Sequence, residues 1–343
     1  MANITDVAGA ARESIGRYFS LVSFIPSALL VAYVFALLSS GVPYRPPDPA
    51  SVVHAASHVS LADVVALTIL SVGLGLVLHP LQFALVQFLE GYWGTGAVAQ
   101  RARSARMWRH WQRLVALRKQ SSDYEHQLKQ LLDDENPRER IAIVSWSTEA
   151  DRLSSDQPEE PDLIMPTRLG NVLRYYESAA GAPYNLDAVQ VMPYLARVAS
   201  AEDMDYVNDQ RSTLDLAVRL SLVSTIAFFF SLSLLWRYGL WLLIAVVPYA
   251  LAFLSYRGAV VAADAYGQAF AVVIALNRFA LYERMHLRLP TNMTEERNRN
   301  EVLGRILAFS DNESPHYQHP RAGPSADAQG SLSSSPSQQG PTG

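Results

Sequence analysis

Hydrophobic positions in this chain come in long unbroken blocks, with polar segments between them. The clearest pair of blocks lies between Leu214 and Ala263. From Leu220 to Trp236 seventeen residues carry no charge, and after Arg237-Tyr238-Gly239 another seventeen run from Leu240 to Tyr256. At 1.5 Å per residue each covers roughly 25 Å, near the hydrocarbon thickness of a bilayer. Trp236, Tyr238 and Trp241 crowd the break, where aromatic rings suit the headgroup level. Arg219 and Arg257 stand at the other ends, able to snorkel toward the opposite interface. The pattern predicts a transmembrane helical hairpin.

Two further blocks precede it. Tyr18–Leu38 is broken only by Pro26, and its twenty-one residues exceed the roughly 7–15 of a signal-peptide core, so it is expected to remain as an anchor. Leu61–Glu90 is longer than one crossing needs and is interrupted at His79-Pro80. It predicts a span to about His79 and a kinked continuation carrying Gln82, Gln87 and Glu90. His79 itself is expected as a buried polar group, a proton site or a partner for a carbonyl freed at the kink. Pro248 is expected to kink the fourth span by freeing the Ile244 carbonyl. Between the first two spans, Pro43, Pro46, Pro47 and Pro49 predict an irregular loop over 39–60.

The middle of the chain reads as amphipathic helix. Met107, Trp111 and Leu114 follow helical spacing, and Leu128, Leu131 and Leu132 resume the stripe. An acidic, proline-containing linker over 154–166 leads to a helix starting near Pro166 or Thr167 and ending at Gly181-Ala182-Pro183. Asn185 is expected to cap the next helix with Asp187 in its first turn. Ser200 with Asp203 begins a helix that runs on into the third span. Beyond Arg257 apolar character continues to Leu289, but Asp264 and Gln268 interrupt it. A long helix leaving the membrane accounts for this better than a fifth crossing. After Ser310 the Pro, Ser, Gly and Gln content predicts disorder.

Charge fixes the orientation. Between Gly91 and Ser122 there are seven basic residues and no acid, against Arg45 alone in the 39–60 loop and Arg237 alone in the hairpin break. Basic residues next to span ends stay cytoplasmic. The division is therefore a cytoplasmic lead (1–17), spans one and two with an external loop at 39–60 (18–93), and a cytoplasmic helical domain (94–213). Spans three and four follow (214–263), then a cytoplasmic helical segment (264–309) and the tail (310–343). The fold class is all-α: an integral membrane protein of four transmembrane helices with an inserted cytoplasmic helical domain, both ends inside. Hydrophobic residues at 50% and charged residues at 17% agree with this class. The net charge of −4 argues against a global nucleic-acid field. The absence of cysteine removes disulfides and thiolate chemistry. Only Lys119 and Lys129 among the 28 basic residues are lysine, a bias of GC-rich bacterial coding, and the expected location is a bacterial plasma membrane.

Three stretches carry a resemblance: Phe88-Leu89-Glu90-Gly91-Tyr92-Trp93-Gly94, Thr167-Arg168-Leu169-Gly170-Asn171-Val172-Leu173-Arg174, and Tyr184-Asn185-Leu186-Asp187-Ala188-Val189 with Pro193. In these the chain resembles a group of bacterial, largely actinobacterial, multi-span membrane proteins with no assigned activity. The resemblance implies a shared membrane-plus-cytoplasmic-helix architecture and no particular chemistry.

Several features bear on function. Ser255, Ala259, Ala263, Gly267, Ala271 and Ala275 recur every fourth residue, a row that lets another helix approach closely. That helix is either the chain's own 201–236 segment or a second copy in a homo-oligomer. Asp215, Arg219, Arg257 and Asp264 are expected near the inner interface as a charged cluster, either structural or at a pore mouth. Arg101, Arg103, Arg106, Arg109 and Arg113, with Trp108 and Trp111, are expected against anionic inner-leaflet lipid rather than nucleic acid. His54 and His58 have a metal-compatible spacing without an evident third ligand. Gly91–Gly96 lacks the Lys-Ser/Thr of a phosphate loop, and no hydrolase or metalloprotease signature occurs. No cofactor is implied. These features point first to a non-enzymatic, homo-oligomeric channel-like or scaffold protein. A secondary transporter and a lipid-acting enzyme built on Asp215 and Asp264 are the alternatives.

Overall fold

The computed structural model describes residues 19–130, 137–155, 157–308 and 317. The expected lead, the tail apart from Tyr317, and Leu131 and Leu132 lie outside the described residues. Among the described residues every regular element is helical, and Leu287 with Tyr317 forms an isolated bridge. Four helical segments are long and apolar enough to cross a membrane: Val22–Ser39, Leu61–Leu78, Ala201–Leu235 and Gly239–Arg284.

In chain order, a π-helical turn, Phe19–Phe24, leads into α1 (Ile25–Ser39). Pro26 lies in the first turn of α1, where its missing N–H costs least. The 39–60 segment departs from the expected loop, since it holds α2 (Pro49–Ser57). Asp48 caps it by accepting from the Ala50 amide at 3.0 Å, and Pro49 occupies the first helical position, so the last of four prolines starts a helix instead of excluding one. Ser60 and Asp63 form a capping box that opens α3 (Leu61–Leu78). Pro80 separates α3 from α4 (Gln82–Glu90). The long α5 (Ala97–Gln130) and α6 (Pro137–Ser154) then form a hairpin.

Three shorter pieces build the rest of the inserted segment. Thr167 accepts from the Gly170 amide at 3.0 Å and starts α7 (Arg168–Ala179). A 3-10 turn, Ala182–Tyr184, precedes α8 (Ala188–Leu195). The cap of α8 is Asp187, which accepts from the Gln190 amide; Asn185 instead adopts a left-handed conformation (φ 59°) and donates to the Arg297 carbonyl. The cap thus falls on Asp187 instead of Asn185, because a short Asn side chain tolerates the left-handed turn that ends the 3-10 segment and leaves Asp187 at the helix start.

Ser200 accepts from the Asp203 amide and begins α9 (Ala201–Leu235), which runs unbroken from polar sequence into the third apolar stretch. The fourth stretch begins as a 3-10 helix, Gly239–Ala245, before α10 (Val246–Arg284). Pro248 therefore does not kink a helix in mid-course. It sits in the first turn of α10, and the tighter winding before it needs no bond from its nitrogen. Asn292 caps the last helix, α11 (Met293–Leu307).

Packing follows from this order. α9 and α10 lie along one another as the central pair; α1 packs beside α9 and α3 packs on α1, with Leu78 at the end of α3 joining Leu30, Val223 and Ala227. At the far end α10 carries α7 and α8, with Ile274, Leu281 and Tyr282 meeting Val191, Leu195 and Leu303. Gly170 sets how closely α7 approaches α4, since a methyl group there would stand 2.2 Å from the Glu90 carbonyl oxygen. Gly170→Ala is expected to cost about 1–3 kcal/mol. Gly304→Ala, at an open helical position, is expected to be neutral or to gain up to about 1 kcal/mol. Thermal unfolding of the solubilised chain checks both, and equal effects would refute the close-approach account.

Candidate functional site

The break at Pro80 organises the largest fully buried side chain among the described residues, that of Arg219. α3 stops at Leu78, so the carbonyls of its last turn lose their intrahelical partners. Arg219, on α9, is fully buried and turns toward this end. Its Nη2 donates to the Leu78 carbonyl at 3.4 Å and its Nε to Gln82 Oε1 at 2.9 Å. Gln82 Nε2 in turn donates to the Asp215 carbonyl at 3.1 Å and to Asp215 Oδ1 at 3.2 Å. Asp215 and Gln82 are buried as well. A guanidinium has five N–H donors and no acceptor, so burial demands several acceptors and a nearby negative charge. The broken helix end, the Gln82 amide and the carboxylate one turn before Arg219 supply them.

His79 is placed differently from expectation. It caps α3 on the exposed side, with Nδ1 3.5 Å from Ser23 Oγ, and the Leu78 carbonyl at the break goes to Arg219. Ser27 donates to the Ser23 carbonyl, Ser71 to Leu67 and Ser231 to Ala227, so these buried hydroxyls are satisfied along their own helices.

The four-residue charged cluster is only half assembled. Asp215 and Arg219 meet through Gln82, whereas Asp264 belongs to a separate contact. Its Oδ1 accepts from the Tyr176 hydroxyl at 2.7 Å and its Oδ2 from Gln268 Nε2 at 3.0 Å. Arg257 is exposed, half a helical turn round from the buried row, and joins neither. Within that row Ser255, Ala259, Ala263 and Gly267 are buried by the chain itself. The covering residues are Leu214 and Val218 of α9 together with Leu169, Val172 and Tyr176 of α7. Gly267 lies so close to the Tyr176 ring that a methyl would stand 2.0 Å from it. Ala271 and Ala275 are only half-buried and border an open groove with Tyr175, Tyr176, Pro183 and Tyr184.

A second polar junction joins α4 to α7. Gly91 (φ 113°) ends α4 against Pro166, and the Thr167 hydroxyl donates to the Glu90 carbonyl at 2.8 Å. The Glu90 carboxyl is half-buried here, and burial first, then the neighbouring Glu177, raises its pKa to about 7 against a smaller opposing pull from Arg174. Farther along, Arg278 pairs with the buried Glu296 at 2.6 Å and lies over the Tyr184 ring at 4.1 Å. Asn300 accepts from the Tyr282 hydroxyl at 2.5 Å and donates to the Tyr184 carbonyl. Sequence reasoning missed these partners. The signals were a glutamine in an apolar stretch two residues past a proline, and an acid closing the same stretch.

The basic residues of α5 are mostly exposed: Arg101, Arg106, Arg109 and Arg113 face outward, while Arg103 is half-buried over the Tyr92 ring at 5.7 Å. His54 and His58 stack at 4.1 Å, with His58 Nδ1 bonded to the His54 carbonyl. Among the described residues no three His, Asp or Glu side chains converge as for a metal ion.

Replacing Arg219 by Leu is expected to cost about 3–5 kcal/mol, because Asp215 and Gln82 stay buried without the cation. The triple change Arg219→Leu, Asp215→Leu, Gln82→Leu is expected to recover most of that loss. Thermal unfolding in detergent measures both, and a triple variant as unstable as the single one would refute the cluster. Glu90 holds its proton more tightly folded than unfolded, so folding takes up a proton between about pH 4.5 and 7. Stability is then expected to fall as pH rises across that window, by about 1 kcal/mol after solvent screening. Glu90→Gln should remove that slope relative to the parent chain, and a parallel pH profile would count against it.

No known protein family, curated protein or solved structure matches this chain, so a functional reading rests on its own residues.

Proposed function

We propose that this chain is an integral membrane scaffold of the bacterial plasma membrane, non-catalytic, in which four spans hold an inserted helical body on the cytoplasmic side. One observation carries the reading: the most apolar helix is among the least covered. Leu61–Leu78 has a mean hydropathy of 2.3, yet only 17% of that stretch is buried. Ile69, Leu70, Leu76 and Val77 are each more than half exposed. In water such a surface would associate; in a bilayer it is solvated by acyl chains. The basic imbalance after the second span supports an inward-facing body.

A scaffold fits the interior better than a pore within one chain. The cation at the break is linked through Gln82 to Asp215, one helical turn away, and the buried serines find partners within the bundle, Ser27, Ser71 and Ser231 along their own chain segment and Ser221 at the Ala252 carbonyl of α10. α9 and α10, of 35 and 39 residues, continue unbroken from apolar to polar sequence, about 52 and 58 Å of rigid helix. Reconstituted in liposomes, the chain is expected to give no ion flux above empty vesicles. A conductance abolished by Arg219→Leu would overturn the scaffold reading in favour of a channel. Cysteines placed at Arg109 and Arg45 should label from inside and outside cells respectively, and the reverse pattern would overturn the orientation.

Self-association is the second reading, favoured by the uncovered end of the small-residue row. The groove at Ala271 and Ala275 has a volume of about 360 Å³, a small-residue floor and tyrosine walls. Oxidative crosslinking of Ala275→Cys is expected to give a dimer; a monomer at all oxidant levels would remove this reading.

A further inference from the structure

The face of α5 turned away from the protein body is built for a partner that the chain does not supply. At 100° per residue, Arg101, Trp108, Arg109, Gln112, Val115 and Lys119 fall within an arc of about 120°. Trp108 is 60% exposed and Val115 45%, and Arg101, Arg109 and Lys119 are exposed between them. No acid occurs from Gly91 to Ser122, and none of these cations has an ionic partner among the described residues. The opposite face is occupied: Leu114 is buried and Ser121 donates to Asp151 of α6.

Contacts fix the level at which α5 lies. Its His110 ring lies beside Pro166, and Arg103 covers Tyr92. Pro166 packs against Gly91, where the chain leaves α4. Next to Pro166, the Leu169 amide meets the Tyr256 hydroxyl at 3.5 Å. Tyr256 is the last residue of the charge-free stretch of α10, with Arg257 following. Arg103 and His110, in the first half of α5, thus lie beside the chain's exit at the boundary between apolar and charged sequence.

We propose that this Trp108 face is a docking surface for anionic lipid headgroups, with α5 lying in the inner headgroup layer beside the bundle. The proposal rests on the membrane reading above. Tryptophan suits that layer, and each cation near an anionic surface adds to the attraction. The charge complementarity is one-signed, as a lipid surface requires and as a salt-bridged protein contact does not.

The chain has no cysteine, so single cysteines can carry a probe: Gln112→Cys on the face, and Leu254→Cys in the fourth apolar stretch as reference. Each is placed in nanodiscs of phosphatidylcholine alone or mixed with phosphatidylglycerol, with quencher-bearing headgroups or acyl chains. The Leu254 probe is expected to be quenched by acyl-chain quencher in both compositions. The Gln112 probe should be quenched by headgroup quencher severalfold more with phosphatidylglycerol, losing that preference in high salt. Arg109→Gln should lower the anionic preference about fivefold. A Gln112 probe equally open to water in both compositions, beside a normally quenched Leu254 probe, would overturn the docking surface alone. Equal sheltering in both compositions would also overturn it and point to a protein contact. A Leu254 probe in water would instead bring down the membrane reading on which the proposal stands.

Discussion

A buried guanidinium is among the most costly groups to hold in an apolar bundle, and here the cost is offset by a helix that fails to continue. Pro80 removes an N–H donor and ends α3, which leaves carbonyls in need of donors at the level where Arg219 sits. Neither feature is stable alone: a broken span without a donor exposes backbone acceptors to an apolar medium, and an arginine without acceptors is an unsolvated charge. Gln82 joins them to Asp215, accepting from Arg219 and donating to the carboxylate. The result fixes where α4 emerges relative to α9.

From that point the contacts close a loop. Gln82 begins α4, whose last residue, Glu90, receives Thr167 and allows Gly170 close to its carbonyl. These place α7, and α7 lays Tyr176 against Gly267 and Asp264 on α10. α10 packs back along α9, which carries Arg219 and Asp215. The chain thus ties the broken α3–α4 segment, α7 and the central helix pair into one circuit. The small-residue row on α10 serves α7 as much as α9, which is why a glycine stands opposite a tyrosine ring instead of opposite another helix backbone.

What the sequence discloses is local chemistry. The charge-free runs, the His79-Pro80 break, the Ser200 and Thr167 caps and the Asp215–Arg219 spacing all depend on residues within one or two turns, and all can be read directly. The partners of those groups cannot. Gln82 meets Arg219 across 137 positions and Tyr176 meets Asp264 across 88, so no periodicity links them. Proline misleads when its position relative to a helix start is unknown: Pro49 and Pro248 both lie in first turns, where the missing donor is harmless, although each reads as a breaker in isolation. Asn185 and Asp187 are both competent caps, and only the left-handed turn at Asn185 decides between them.

The same distinction separates structural charge from charge left for a partner. Asp215, Arg219, Asp264, Arg278 and Glu296 each find a hydrogen-bonding group within the chain, and each stands where helices converge. These internal partners hold the groups within the packed helices and leave them with little to offer a solute. The cations of α5 stand on a helix whose other face is already used, and no carboxylate lies in their stretch of sequence. A charge cluster that is internally balanced stabilises a junction; a one-signed face needs a counter-charge from outside the chain. By this criterion the interior polar groups hold the helices together, and the outward cations of α5 are the charges that face the surroundings of the chain.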